Sequence, residues 1–106
     1  MKPALAILAL CTSLHAAELK VGQPVDVKFT AADGRKVDLA KMRGKVVLLY
    51  FCASWCPPCV HEFPGVKATY DKLHPHGFEI IGISLESKRE QFDLNTKRKK
   101  IPWAQL

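Results

Sequence analysis

The chain has no apolar run long enough to cross a membrane, and it contains no internal repeat and no low-complexity segment. Its N-terminal apolar run, residues 4–10, is far shorter than the roughly 20 residues that a membrane-spanning helix needs. Lys2 before this run and small residues near Ala16 after it are typical of a secretory signal peptide. We therefore expect residues 1–16 to be a signal peptide, removed on export to the periplasm or cell envelope, and no stable membrane insertion after cleavage.

Acidic residues are in deficit, with 10 against 16 basic residues and a net charge of +6. A basic run at residues 97–100 concentrates part of this excess, but no interleaved aromatic residues and no nucleic-acid-binding motif accompany it. Basic residues at a helix end complement the helix dipole, so we expect a solvated helix terminus and no nucleic-acid partner. A hydrophobic content of 48% and a charged content of 25% indicate one globular domain, residues 17–106.

Cysteines are few but concentrated, with Cys52, Cys56 and Cys59 all lying within FCASWCPPC. Cys11 would leave with the signal peptide, so the exported chain would carry an odd number of thiols. At least one thiol must then stay unpaired or pair between chains. Outside the cytosol disulfides persist, and the cluster could serve as a structural staple, a metal clamp or a redox centre.

Alternating apolar and polar residues predict a strand over residues 24–30, followed by a turn at Asp33 and Gly34. Asp38 is a suitable cap for a short helical segment that ends at Gly44.

The residues that follow alternate between strand and helix patterns. Residues 45–52 form a continuous apolar run, which predicts a strand buried on both faces. Apolar residues then recur at helical spacing from Pro57 to about His74, with a kink expected at Pro64. These residues are Val60, Phe63, Val66, Tyr70 and Leu73.

Residues 78–85 predict a second buried strand, and Ser87 with Glu90 forms a capping box for a surface helix that runs to about Lys100. We expect Phe92 and Leu94 to anchor this helix. Strands that alternate with helices predict an α/β fold with a mostly parallel central sheet flanked by helices.

The WCPPC motif lies where the first buried strand ends and the long helix begins. A thiol there faces unpaired N–H groups and the positive end of the helix dipole, which favour the thiolate, so Cys56 is the expected nucleophile. Cys59 lies one helical turn further, within disulfide reach, and is the expected resolving thiol. Pro57 and Pro58 fit the first helical turn but remove two N–H donors. We expect this loss to make the pair more reducing than one with donor-rich central residues.

The stretches DGRKVDLAKMRGKVVLLYFCASWCPPCVHEFP and GFEIIGISLE resemble the TlpA/ResA-type branch of the thioredoxin-like superfamily, which comprises exported thiol/disulfide oxidoreductases. The resemblance implies that Trp55 shields the active site, Cys56 attacks, Cys59 resolves, and Glu62 assists proton transfer. It also implies protein thiol and disulfide substrates, a redox donor protein, and no organic cofactor. Glu62 is three residues after Cys59 on the same helical face.

Two features depart from this family. Cys52 stands where relatives commonly have Trp. We expect it to be a small buried hydrophobe at the strand end, although its thiol could compete for Cys56. The chain also stops at IPWAQL, before the catalytic cis-proline loop, the hairpin and the final helix of the family. We expect Pro102 to be an ordinary trans proline, and residues 17–106 to be the N-terminal portion of a thioredoxin-like domain.

A metal site is the competing hypothesis. His61, His74 and His76 accompany the cysteines, and Cys52 with Cys56 forms a CxxxC pattern reminiscent of copper-delivery proteins. No histidine after residue 76 could complete such a site, and the prolines suit redox use better. A copper carrier or non-catalytic module therefore stays as the alternative. A peroxidase would need an arginine and a threonine around its attacking cysteine, a setting that WCPPC does not supply.

Overall fold

The computed structural model describes residues 20–106, so the predicted signal peptide lies outside the described residues. The elements are, in chain order, β1 (Lys28–Thr30), β2 (Lys36–Asp38), a 3-10 turn (Leu39–Met42), β3 (Val46–Cys52), α1 (Pro57–Leu73), a 3-10 turn (His74–His76), β4 (Phe78–Ser84), α2 (Arg89–Lys99) and β5 (Ala104–Gln105).

β1 and β2 form an antiparallel hairpin. Its turn is the predicted one: the Arg35 backbone N–H donates to Asp33 at 3.1 Å, and Gly34 has a positive φ of 92°. This hydrogen bond, together with the Arg35 guanidinium, holds the pKa of Asp33 below its ordinary value. The strand predicted over residues 24–30 is shorter than expected, because only Lys28–Thr30 pairs with β2. The predicted Asp38 cap is confirmed, since its carboxylate accepts from the Ala40 N–H at 3.0 Å.

The central sheet has the order β3-β4-β5, and both of its pairings are parallel. The predicted strands over residues 45–52 and 78–85 are confirmed as β3 and β4, with Cys52 opposite Ser84. β5 is a short strand that sequence patterns did not predict. The hairpin is joined to it by the Ala32 N–H, which donates to the Gln105 carbonyl at 2.8 Å.

The prediction that β3 is buried on both faces is wrong. Its exposed residues are Val46, Leu48, Leu49 and Phe51. Within residues 20–106, β3 pairs with β4 along one edge only, and Leu48, beside α1, is still 39% exposed. A continuous apolar run shows that a strand can be buried, but neighbouring segments decide whether it is.

α1 matches the helix predicted from Pro57 to about His74, and it continues through Pro64. The kink expected at Pro64 stays a prediction. Phe63 and Tyr70 are its buried residues, whereas Val60 is 44% exposed. The apolar residues predicted at helical spacing therefore face the core only in part.

α2 begins at Arg89 and has no side-chain cap, so the predicted Ser87 and Glu90 capping box is wrong. Lys88 occupies the cap position instead. The expected end near Lys100 is confirmed, since α2 ends at Lys99. Lys100 then takes a left-handed conformation with φ of 50°. α2 buries none of its residues, as predicted for a surface helix, and of its two expected anchors Phe92 is half-buried while Leu94 is exposed.

Two apolar clusters cover the faces of β4. Ile81 packs with the hairpin on one face, and Ile80 packs with Trp103 and α1 on the other, because adjacent strand residues point to opposite faces. Trp103 is 2% exposed and contacts three aromatic rings, with centroid distances of 6.4 Å to Tyr50, 5.8 Å to Phe63 and 5.2 Å to Tyr70. The Ile101–Pro102 bond is trans, as predicted.

Candidate active site

Cys56 occupies the junction between β3 and α1, at the cap position of the helix. Its backbone N–H donates to the Ala53 carbonyl at 3.3 Å, and its own carbonyl accepts from Val60 at 3.1 Å. A disulfide joins Cys56 to Cys59 across a Cα–Cα distance of 5.3 Å, which lies within the usual range for this bond. Both cysteines are half-buried.

Pro57 and Pro58 occupy the first two positions of α1 and are exposed. Proline is well tolerated there because the first helical N–H groups have no intrahelical partner. The two prolines leave the helix end with two fewer N–H donors near the Cys56 sulfur. The local sequence thus builds the turn but limits the hydrogen bonds that the turn offers.

The loop before the disulfide is tied to the end of β4. The Ser54 N–H donates to the Glu86 carboxylate, and the Leu85 N–H donates to the Cys52 carbonyl at 3.0 Å. Trp55, between Ser54 and the first cysteine of the pair, is 65% exposed. Its ring is open to solvent next to the disulfide, and the shielding role expected for it stays a prediction.

Glu62 lies in the second turn of α1 and is exposed. Its side chain lines a groove on the β3 side of the helix, together with Leu48, Val66 and Phe78. From β3 the groove includes Leu48, which is 39% exposed. The role of Glu62 in proton transfer stays a prediction.

Tyr50 is a site neighbour that the sequence reasoning did not single out. Its hydroxyl is inaccessible to solvent. The pKa of Tyr50 is raised above its ordinary value, chiefly because the hydroxyl is desolvated, and further because Cys52 and Glu62 lie near. Strand alternation places Tyr50 and Cys52 on one face, a signal that could have found it.

The histidines do not gather around the cysteines. His74 and His76 lie at the far end of α1. The His74 ring stacks on the Tyr70 ring there, with 4.5 Å between the ring centroids. His61 is exposed on α1. Among residues 20–106, no group of three or more His, Cys, Asp or Glu side chains is placed to hold a metal ion. No helix in the same part of the chain has the length and apolarity needed to cross a membrane.

The model of the AhpC/TSA family matches residues 21–105. The chain belongs to this family. A probable nucleoredoxin 3 from Oryza sativa subsp. japonica is 36% identical over 76 residues, which cover 69% of this chain and 16% of the relative. The thiol-disulfide oxidoreductase ResA of Bacillus thuringiensis (strain Al Hakam) is 37% identical over 57 residues, which cover 54% of this chain and 33% of ResA.

Among solved structures, this AhpC/TSA family member is similar to the thioredoxin domain of a thiol-disulfide oxidoreductase from Bacteroides vulgatus. The TM-score is 0.68 at 28% identity, and the match covers 84% of this chain and 64% of that one. The predicted thioredoxin-like α/β fold and the resemblance to ResA-type proteins are therefore confirmed. The chain spans less than two thirds of the length of each of these proteins.

Proposed function

We propose that this chain is an exported thiol/disulfide oxidoreductase that reduces protein disulfides through Cys56 and Cys59. The observation that carries the proposal is the disulfide at the start of α1, with Cys56 at the cap position and Cys59 one turn into the helix. A thiolate at the cap position benefits from the helix dipole, so the first cysteine of the pair is the better nucleophile.

The reaction consists of two thiol-disulfide exchanges. The Cys56 thiolate attacks one sulfur of the partner disulfide, that S–S bond breaks, and a mixed disulfide forms while one partner thiolate leaves. Cys59 then attacks the Cys56 sulfur, which releases the second partner thiolate and forms the Cys56–Cys59 disulfide. Two electrons pass to the substrate, and a redox donor protein restores the dithiol. No organic cofactor is required.

Four neighbouring residues have supporting roles in this proposal. Trp55 gives a partner protein an exposed apolar contact beside the disulfide. Pro57 and Pro58 withhold N–H donors from the Cys56 thiolate, which destabilises the reduced form and makes the pair a stronger reductant. Glu62, three residues after Cys59 on one helical face, accepts the Cys59 proton before the second exchange.

Export is supported by the N-terminal sequence. Lys2, the apolar run at residues 4–10 and the small residues near Ala16 form the pattern of a cleavable signal. An oxidising compartment outside the cytosol is where a disulfide-reducing protein meets disulfides as substrates. N-terminal sequencing of the protein recovered from a cell-envelope fraction is expected to start at Ala17.

The decisive experiment equilibrates the chain in graded dithiothreitol buffers, alkylates free thiols and maps each cysteine by mass spectrometry. We expect one two-electron transition confined to Cys56 and Cys59, with Cys52 outside it. With insulin as substrate, Cys59→Ser should accumulate a mixed disulfide at Cys56, and Cys56→Ser should abolish exchange.

Two results would count against this proposal. If thiol-disulfide exchange survived in Cys56→Ser, Cys56 would not be the nucleophile. If the wild-type chain oxidised a reduced, unfolded protein faster than it reduced insulin, the proposed direction of electron flow would be wrong.

A further inference from the structure

The loop between β3 and α1, residues 53–55, is anchored at two points before the chain reaches Cys56. Ala53 is fully buried, with 0% of its surface exposed, and its carbonyl accepts from the Cys56 N–H at 3.3 Å. The Ser54 N–H donates to the carboxylate of Glu86, a residue 32 positions further along the chain. One buried side chain and one long-range hydrogen bond therefore hold the loop that leads to the disulfide.

Glu86 lies just past the end of β4 and is half-buried. Its own N–H donates to Ser84 Oγ at 3.2 Å, which fixes the path of the backbone as it leaves the strand. Its carboxylate forms no ion pair within residues 20–106. The hydrogen bond from the Ser54 N–H is therefore the contact that holds this side chain in place.

The parallel pairing of β3 and β4 brings Glu86 beside this loop. Cys52 lies opposite Ser84, and the Leu85 N–H continues the pairing by donating to the Cys52 carbonyl at 3.0 Å. Beyond this bond both chains leave the sheet, and a side-chain oxygen replaces the backbone acceptor for Ser54. Because Ser54 is exposed, water could satisfy its N–H if Glu86 were lost. The bond therefore matters more for the position of the loop than for the stability of the fold.

We propose that Glu86 is a positioning residue for Cys56 in thiol-disulfide exchange. The Ser54 N–H lies two residues before Cys56, so the carboxylate that holds it fixes the path by which the chain enters α1. This role rests on the proposed function, because it concerns how the Cys56 sulfur meets a partner disulfide. A misplacement of about 1 Å can slow a reaction roughly 100-fold. Glu86 acts through the loop and not on the reacting sulfurs.

Three substitutions of Glu86 in the full chain separate the hydrogen bond from the charge. Glu86→Gln keeps an acceptor oxygen at the same reach and removes the charge. Glu86→Asp keeps the charge but shortens the side chain by one methylene group, which draws the acceptor away from Ser54. Glu86→Ala removes both. Glu90→Ala is the matched control, because Glu90 is an exposed carboxylate in the first turn of α2.

The kinetic test measures insulin reduction with dithiothreitol as the reductant. We expect Glu86→Ala and Glu86→Asp to lower kcat/KM about tenfold, mainly through kcat, because the loop no longer fixes the approach of Cys56. Glu86→Gln should stay within about threefold of the wild type, and Glu90→Ala within about twofold. The urea midpoint of each variant should stay close to that of the wild type. A merely structural role would lower that midpoint and leave the rate of the folded protein unchanged.

Hydrogen exchange at the Ser54 N–H, followed by NMR, reports the bond without any substrate. We expect exchange about tenfold faster in Glu86→Ala and Glu86→Asp, and close to the wild-type rate in Glu86→Gln. If Glu86→Ala does not fold, the comparison of Gln with Asp carries the same test.

The role assigned to Glu86 would be wrong if Glu86→Gln were as slow as Glu86→Ala, or if Glu86→Asp matched the wild type. Unchanged Ser54 exchange in Glu86→Ala would overturn it as well. A wild-type chain that does not reduce insulin would instead refute the proposed function. The Ser54 exchange rates would then still decide whether Glu86 anchors the loop before Cys56.

Discussion

At the scale of single residues, the two prolines within the CxxC motif are the chemically informative positions. They start α1 without cost because their missing N–H groups would have no helical partner. The same absence leaves the Cys56 thiolate with fewer donors. In the function that we propose, helix initiation and redox potential therefore depend on the same two side chains.

Replacing Pro57 with histidine is expected to raise the reduction potential of the Cys56–Cys59 pair by about 30 mV or more, which is roughly a tenfold change in the exchange equilibrium. The backbone N–H and the imidazole both favour the thiolate, so the dithiol form gains stability. The measurement is equilibration against glutathione buffers followed by alkylation.

Pro75→His is the matched control, because Pro75 is an exposed proline at the far end of α1. It adds the same imidazole far from the disulfide and should leave the potential unchanged. A lower, more reducing potential for Pro57→His would refute the donor argument.

At the scale of elements, the segment between the hairpin and β3 depends on one carboxylate. Asp38 ends β2, caps the 3-10 turn through the Ala40 N–H, and lies 3.8 Å from Lys28 on the partner strand. Asp26 and Arg43 form a closer ion pair, with 2.7 Å between nitrogen and oxygen, but both side chains are largely exposed. A cap and an exposed ion pair thus lie in the same segment and can be compared directly.

Asp38→Ala is expected to lower the free energy of unfolding by about 1 kcal/mol, since it leaves a backbone N–H of the turn without its acceptor. Asp26→Ala should cost at most about 0.5 kcal/mol, because exposed ion pairs contribute little. Urea unfolding followed by circular dichroism measures both. Equal losses in the two variants would show that Asp38 does not act as a cap.

At the scale of the whole molecule, Trp103 connects parts of the chain that are far apart in sequence. Its ring contacts Tyr50 of β3 and both Phe63 and Tyr70 of α1. A Cβ added at Gly82 would lie 3.0 Å from Trp103 Nε1, which shows how closely β4 approaches the ring. β3, α1 and β4 are therefore packed around one indole.

Trp103→Phe is expected to reduce the free energy of unfolding by about 1–3 kcal/mol, because a smaller ring leaves a gap among three aromatic neighbours. Trp55→Phe is the matched control, since Trp55 is 65% exposed and its loss should change stability by no more than about 0.5 kcal/mol. Urea denaturation monitored by circular dichroism tests the pair. Similar costs for the two variants would mean that Trp103 is not a packing centre.

Much of the local structure could be predicted from the residues themselves. The start and end of α1, the turn at Gly34, the Asp38 cap and the approximate end of α2 all follow from interactions within a few residues. The position of WCPPC between a strand and a helix follows from the same short-range rules. The chemistry expected of Cys56 and Cys59 was therefore accessible before any packing was known.

Failures of prediction occurred where distant segments compete or cooperate. The Ser87 capping box was not used, and helix α2 begins instead at Arg89. β5 exists because Ala104 and Gln105 pair with β4, a contact with no local signature. The apolar run of β3 predicted burial on both faces, but among the described residues Val46, Leu49 and Phe51 are exposed.

The sequence by itself determined the α/β pattern, the helix that carries the disulfide, and the order of the two cysteines along it, because each depends on hydrogen bonds and spacing within one or two turns. Only the tertiary structure decided that Lys99, 47 positions after Cys52 in the chain, lines the same cavity as that thiol. Such encounters depend on how β3, α1 and α2 pack together. No local pattern encodes that packing, because it follows from contacts summed over the whole domain.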